Sequence, residues 1–340
     1  MFPNLNYIPQ SDIKSARFMI SGMTSKVPVL MRVLASSVDL ASRASEIIRD
    51  VMASKHLDIV DKGVDDFQSK ADRDSQRCIV GSLLKSFPGL KIVGEEGALP
   101  AGDIETFTGM NSVVLSKTCP GEFASTTLDD MVVWVDPLDG TKEFTEGLTE
   151  QVTVLIGIAV KGKPVAGVIA QPFYHPRTCS EPTTRTIWGL DGLGIFGLTP
   201  HLPGTVPYPL DPNVPKGSIK HTVVVTRSHP TPTLQATIDS CFPTEVLRVG
   251  GCGYKVITLL EGLAHVYLFP SPGCKRWDTC APEALLTSVG GRLTDLFGES
   301  YDYSYTLDPV DRRGVLAAMV ADWIPKYAAC IPKDVLETLK

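Results

Sequence analysis

The chain is short of the features that mark most specialised classes of protein. Its eight cysteines, at 78, 119, 179, 241, 252, 274, 280 and 330, form no C-x-x-C pair, and its six histidines form no H-E-x-x-H, which argues against zinc. Long hydrophobic runs are missing too: the longest largely apolar stretch, Val152 to Val160, is too short to cross a bilayer and reads as a core strand. Cationic excess is absent, since the formal charge is −6 and the pI near 5.6, and this excludes general affinity for nucleic acid or an anionic membrane while leaving room for a small anionic ligand. Scattered cysteines and the lack of a signal-peptide pattern lead us to expect reduced thiols and a cytoplasmic protein. Residues 1–27 have no stable period and read as an extension; Lys14, Arg17 and Lys26 against a lone Asp12 keep organelle targeting open.

What the chain does contain is an ordinary globular composition, 43% hydrophobic and 21% charged, with 29 Gly and 26 Pro that imply many turns. At 340 residues it can build a full core in two domains or one large layered one. Prolines 200, 203, 207, 209, 212 and 215 crowd one segment and predict a boundary there, with an α+β part over 28–205 and an α/β part over 216–340. From Pro28, the apolar residues Leu30, Leu34, Val38, Ala41, Ile48 and Met52 recur at helical spacing. A second helix follows Asp65–Asp72, with Ile79, Leu83, Leu84 and Phe87 as its apolar face. Leu90–Val93 reads as a strand, and 98–130 as an excursion with one helix. Val152–Val160 with Pro164–Ala170, and Thr186–Leu190 with Leu193–Leu198, read as hairpin pairs. Gly192–Gly197 fits G-x-G-x-x-G, but Thr199-Pro200 follows where a dinucleotide site requires a helix, so the match is rejected. Beyond the prolines, strands and helices alternate, ending in a helix from Thr279 to about Val289 with Pro282 in its first turn.

The stretch with chemistry in it is Trp134-Val135-Asp136-Pro137-Leu138-Asp139-Gly140-Thr141. Met131 to Val135 is apolar and rich in β-branched residues, so it reads as a buried strand, and Pro137 keeps Asp136 extended as the chain leaves the sheet. Asp139-Gly140 then supplies a turn that leaves the Leu138 carbonyl facing the same space as the two carboxylates. Acids this close raise each other's pKa unless a cation sits between them, and all-oxygen ligation suits a hard ion such as Mg²⁺. The same residues also fit a plain Asp-Gly turn beside a helix cap. Further acids stand at element ends: Asp66 and Asp72 before the second helix, Glu95 after a strand, and Asp278 at a helix start. Asp72 and Asp278 each fit a capping role as well.

Taken together, Asp66-x-x-Ser69-x-Ala71-Asp72, Gly94-Glu95-Glu96, the Trp134–Thr141 stretch and Trp277-Asp278-x-x-Ala281-Pro282-Glu283 resemble the lithium-sensitive, Mg²⁺-dependent phosphomonoesterases of the inositol monophosphatase family. Lys142–Gly147, Thr226–His229, Leu247–Gly251 and Ser271–Lys275 resemble the branch of that family acting on bisphosphorylated nucleotides, over roughly residues 29 to 325. The resemblance implies a layered α-β-α-β-α sandwich of the α/β class with the site between its two parts. It implies two or three Mg²⁺ ions held by Glu95, Asp136, Asp139, Asp278 and the Leu138 carbonyl, with Asp66 as an outer acid. Asp72 and Thr141 would orient and deprotonate the attacking water, and Thr141, Thr226, His229, Gly251 and Lys255 would meet the substrate. Inhibition by Li⁺ is expected. By residue type alone, His229 reads as a surface or core histidine and Lys255 as a solvated charge. Ser69 stands where the family usually has Thr, and Tyr254 where the nearest branch has Asn. The implied reaction removes the 3'-phosphate of adenosine 3',5'-bisphosphate to leave AMP. The rival readings are an inositol polyphosphate 1-phosphatase acting on inositol 1,4-bisphosphate, and a non-catalytic metal- or phosphate-binding protein.

Overall fold

Side-chain alternation along the strands sorts the hydrophobic residues into three separate cores. In the strand Met131–Asp139, Met131, Val133 and Val135 point into one core and Val132 and Trp134 into another, because successive residues of a strand face opposite sides of the sheet. Farther along, Val223 and Val225 of one strand face a third core while Val224 between them faces the second. Two sheets, each apolar on both faces, demand three helical layers, and a computed structural model of the chain has that architecture. It describes residues 27–340 apart from 64–65, 100–104, 177–178, 180, 202–207, 214, 216–217 and 229.

In chain order, a helix Val29–Ser54 leads to a small ribbon, β1 (Val60–Gly63) with β2 (Asp66–Gln68), and then to the helix Lys70–Ser86. The six-stranded sheet comprises β3 (Lys91–Gly94), β4 (Met131–Asp139), β5 (Thr153–Val160), β6 (Lys163–Tyr174), β7 (Thr183–Leu190) and β8 (Gly194–Phe196), in that spatial order. Only β3 and β4 are parallel; the rest is an antiparallel meander. The five-stranded sheet is mixed. It uses β9 (Thr222–Thr226), β10 (Glu245–Val249), β11 (Val266–Phe269), β13 (Arg292–Thr294) and β15 (Val315–Ala318) in the order β10-β9-β11-β15-β13. A short ribbon joins β12 (Cys274–Lys275) to β14 (Val310–Asp311).

The two long N-terminal helices cover the outer face of the six-stranded sheet. Helices Cys252–Leu260 and Arg276–Thr287 fill the space between the sheets, and Pro232–Ser240, Ile324–Ala328 and Lys333–Glu337 cover the far face of the second sheet. The Arg276–Thr287 helix lies close against its sheet because three glycines in register, Gly157, Gly167 and Gly189, leave a bare strip across β5, β6 and β7. A Cβ on Gly157 would meet Cys280 Cβ at 2.5 Å, and one on Gly167 the Ala281 carbonyl oxygen at 2.5 Å.

Several local expectations are corrected. The strand after Met131 does not stop at Val135: it runs to Asp139, with a register irregularity between Asp136 and Asp139 where Pro137 has no N–H to give the ladder. The helix expected from Thr279 begins at Arg276, so Asp278 is its third residue and Pro282 lies inside it, beyond the first turn. Leu84, expected on a buried face, is exposed. Asp66 is the first residue of β2 rather than part of a helix entry, and its side chain lies outside what is described, as does His229 altogether. The expected hairpins β5–β6 and β7–β8 are present.

Candidate active site

Parallel pairing of β3 with β4 is what brings the first two acids together. Gly94 pairs with Val135 and the Glu95 N–H donates to the Val135 carbonyl at 3.0 Å, so Glu95 leaves β3 beside Asp136. The Glu95 turn is held from behind by Gln76, whose carboxamide donates to the Gly97 carbonyl at 2.8 Å and accepts the Glu96 N–H at 2.9 Å. Asp136 is buried, and its Oδ1 accepts the Leu138 N–H at 3.0 Å. Its pKa lies well above the ordinary carboxylate value, first through burial and then through the like charges of Glu95, Asp139 and Asp278.

Asp139 is gripped from the other half of the chain. Its Oδ1 accepts the Cys252 N–H at 2.9 Å, and its Oδ2 accepts the Gly253 N–H and the Thr153 hydroxyl, both at 2.7 Å. Burial raises the Asp139 pKa, and these bonds together with the Lys255 charge work against that rise. Gly251, with φ +60, must be glycine: a Cβ there would lie 2.8 Å from Asp139 Oδ2 and 3.0 Å from the Gln151 carbonyl. Asp278 Oδ2 accepts the Lys275 N–H at 2.8 Å, and its pKa is pushed up to about 6, by burial first and with Asp139 adding to it.

Asp72 answers both readings the sequence left open. One oxygen closes a capping box, accepting the Ser69 N–H at 2.8 Å and the Ser69 hydroxyl at 2.5 Å, so Ser69 keeps the hydroxyl function of a Thr. Its other oxygen accepts the Thr141 hydroxyl at 3.1 Å, across 69 residues of sequence. Burial, as the largest cause, pushes the Asp72 pKa up to about 6. Thr141 opens the helix Thr141–Glu146 after Gly140, whose φ of +92 turns the chain sharply out of β4. The Leu138 carbonyl, expected to be free, lies 3.2 Å from the Thr141 hydroxyl.

These side chains ring one cavity of about 490 Å³, lined by Glu95, Asp136, Leu138, Asp139, Thr141, Thr226, Gly251, Lys255 and Asp278. Asp72 stands behind Thr141, outside the lining. Among the described residues, no three His, Cys, Asp or Glu side chains are drawn into a closed chelate; the acids surround a space instead. Its acids offer oxygens, beside the Cys252 and Cys274 thiols of the lining, and Asp136 is raised by three like charges at once. Such a set suits a hard divalent cation, which would relieve that repulsion. Lys255, which read as a solvated charge, is buried; its Nζ donates to the Gly251 carbonyl at 2.8 Å and lies 5.4 Å from the Tyr267 ring centroid. Tyr254 packs into the core between the sheets and does not line the cavity.

Further lining residues had no assigned role in the sequence reading. Glu143, buried beside the cavity, pairs with Arg227 at 2.8 Å and accepts the Ser228 hydroxyl at 3.3 Å, and Arg227 also pairs with Glu146. Gly250 presses on Glu143 so closely that a Cβ would lie 2.0 Å from the carboxyl carbon, while its N–H donates to Gln151 at 2.6 Å. The signal available was the acid-rich Lys142–Gly147 segment next to the Asp-Gly turn, but nothing in one dimension pairs it with Arg227.

A fold of this layering with acids at the ends of β3 and β4 and in the Arg276–Thr287 helix defines a class of phosphatases, and the chain belongs to the inositol monophosphatase family, whose sequence profile matches residues 30–332. Within it, the chain is 44% identical to a 3'(2'),5'-bisphosphate nucleotidase 1 of Mus musculus over 322 residues, covering 93% of this chain and 99% of the relative. The Homo sapiens protein of that name is 43% identical over the same length. An inositol monophosphatase 3 of Danio rerio is 31% identical, covering 86% of this chain and 82% of the relative. Among solved structures, the extragenic suppressor protein suhB of Bartonella henselae superimposes with a TM-score of 0.63 at 20% identity, covering 90% of this chain and 99% of the other, which establishes the fold.

Proposed function

We propose that the chain is a Mg²⁺-dependent phosphomonoesterase that removes the 3'-phosphate of adenosine 3',5'-bisphosphate to give AMP and phosphate. The observation carrying this reading is the convergence of Glu95, Asp136, Asp139 and Asp278 on one cavity that also presents the buried cation Lys255 and the Gly250-Gly251 turn. Glu95, Asp136, Asp139, Asp278 and the Leu138 carbonyl would hold two or three Mg²⁺ ions. When bound, the metal supplies charge to polarise the phosphate and to acidify a water. The chain's own residues do the rest. The Thr141 hydroxyl faces the cavity with Asp72 behind it, so Thr141 orients the attacking water while Asp72 accepts a proton through that hydroxyl. Lys255, Thr226 and Gly251 form the wall that receives the part of the substrate not being cleaved, with His229 at the end of the Thr226–His229 segment. Asp66 is kept as an outer acid, and Li⁺ as an inhibitor.

The substrate is a small phosphorylated molecule, and no described helix is long and apolar enough to cross a membrane. The experiment is phosphate release with Mg²⁺ from adenosine 3',5'-bisphosphate, with Asp136→Asn as the inactive control. No release from any bisphosphorylated nucleotide would overturn the assignment. Similarity to an inositol monophosphatase 3 favours one second reading, action on an inositol phosphate, and a rate comparison between adenosine 3',5'-bisphosphate and inositol 1,4-bisphosphate separates the two.

A further inference from the structure

The Arg276–Thr287 helix carries a second acid that the proposed reaction does not use. Glu283 lies five residues beyond Asp278, is 6% exposed, and faces a different cavity from the one that Asp278 lines. The groups around it are the phenols of Tyr303 and Tyr301, the Cys280 thiol and the Arg292 guanidinium. Burial dominates, and the Glu283 pKa is pushed up to about 8.

The hydrogen bonds leading away from it form a chain. Glu283 Oε2 lies 2.5 Å from Tyr303 Oη, Tyr303 Oη lies 3.1 Å from Thr279 Oγ1, and the Thr279 hydroxyl donates to the Lys275 carbonyl at 3.4 Å. Lys275 caps the helix, and its N–H donates to Asp278 Oδ2 at 2.8 Å. Tyr303 is also fixed from the six-stranded sheet, where the Trp134 indole N–H donates to the Tyr303 carbonyl at 3.1 Å. A phenol has one hydrogen, which cannot serve Glu283 and Thr279 together. With Glu283 protonated, every donor has an acceptor: the carboxyl O–H donates to Tyr303, Tyr303 to Thr279, and Thr279 to the Lys275 carbonyl. With Glu283 ionised, the carboxylate takes the phenolic hydrogen and Thr279 loses its incoming bond.

We propose that Glu283 is a positioning residue: it orders a hydrogen-bond relay through Tyr303 and Thr279 that fixes Lys275 and, through its N–H, the carboxylate of Asp278. The inference rests on the reading of Asp278 as a metal ligand. Its test is thermal unfolding of the full chain over a Mg²⁺ titration at pH 7 and pH 9, taking the concentration that gives half the metal-induced rise in Tm. Because the raised Asp136 carboxyl also releases its proton more readily at the higher pH, the quantity read is the ratio of wild type to Glu283→Gln at each pH, which should grow about tenfold from pH 7 to pH 9, the worth of one hydrogen bond to a charged group. Glu283→Gln, whose carboxamide donates to Tyr303 at any pH, is the reference for that ratio and should match the wild type at pH 7. Tyr303→Phe, which cuts the relay, should be about tenfold weaker already at pH 7, on the same reasoning. The proposal is overturned if Glu283→Gln follows the wild-type pH dependence, or if Tyr303→Phe responds to Mg²⁺ as the wild type does. A wild type whose Tm ignores Mg²⁺ would remove the metal reading and this inference with it, so the two failures are distinguishable.

Discussion

Gly167 is the position where a single methyl group should disturb the site from a distance. It sits mid-strip on β6, paired with Gly157 and Gly189, under the helix that carries Asp278. A Cβ at Gly167 would stand 2.5 Å from the Ala281 carbonyl oxygen and 3.0 Å from Ala281 Cα. Ordinary C···O contacts begin near ~3.3 Å, so the helix must lift by about 0.8 Å, and both neighbours are backbone with no flexible end to yield. Overpacking of this kind costs about 1–3 kcal/mol, whereas replacing a strand glycine by alanine returns about 0.5–1 kcal/mol, leaving a net loss of up to about 2.5 kcal/mol. In a chain of this size that is a fall in Tm of up to about 3.5 °C. Differential scanning calorimetry of Gly167→Ala should show it, together with a higher Mg²⁺ requirement, because Asp278 lies three residues before Ala281. Gly121→Ala, where nothing lies within 4 Å of the added carbon, is the matched control and should be neutral or slightly stabilising. If Gly167→Ala is as stable as Gly121→Ala, the close approach of helix to sheet is not what holds this layer together.

Three other outcomes are expected. Thr141→Ala should lower kcat by about 10²-fold, the low end of a positioned proton-transfer group, while the Mg²⁺ requirement in a kinetic titration stays within about twofold; a loss of metal binding equal to that of Asp136→Asn would show that Thr141 and the acids do not divide the work. Asp136→Asn should raise the stability of the metal-free protein while abolishing its response to Mg²⁺. The folded pKa of Asp136 lies above its ordinary 3.8, so the folded state retains a proton that the unfolded chain has lost, and wild-type stability without metal should fall as pH rises above about 4. The Asn variant should lose that part of the slope in pH-dependent urea unfolding. Arg227→Met strands the buried Glu143 carboxylate and should cost about 3 kcal/mol in urea unfolding, at the low end for breaking a buried pair; retention of wild-type stability would mean that the Ser228 hydroxyl and solvent already satisfy Glu143.

Where the acids fall was legible one-dimensionally, because a functional acid at the end of a strand or the start of a helix leaves a local mark: an apolar β-branched run, then Asp-Pro or Gly-Glu, then a turn residue. The same locality marked the hairpins and the opening helix. It failed at Asp136–Asp139, where the strand tolerates a proline by slipping register, and at Arg276, because only the Asp278 half of a capping box is there, accepting the Lys275 N–H, without the usual Ser or Thr signature.

The sequence by itself determined which residues bear charge at element ends and, by continuous apolar runs such as Met131 to Val135 and Val152 to Val160, that these strands are buried. It could not say that Asp72 reaches Thr141, that Lys255 is buried against the Gly251 carbonyl, or that Glu143 meets Arg227, since each contact joins segments separated by elements whose packing sets the distance. The bare strip of Gly157, Gly167 and Gly189 makes the same point. Three isolated glycines become one surface only when β5, β6 and β7 align in register, and that surface decides how near the Asp278 helix comes to the sheet carrying Asp136.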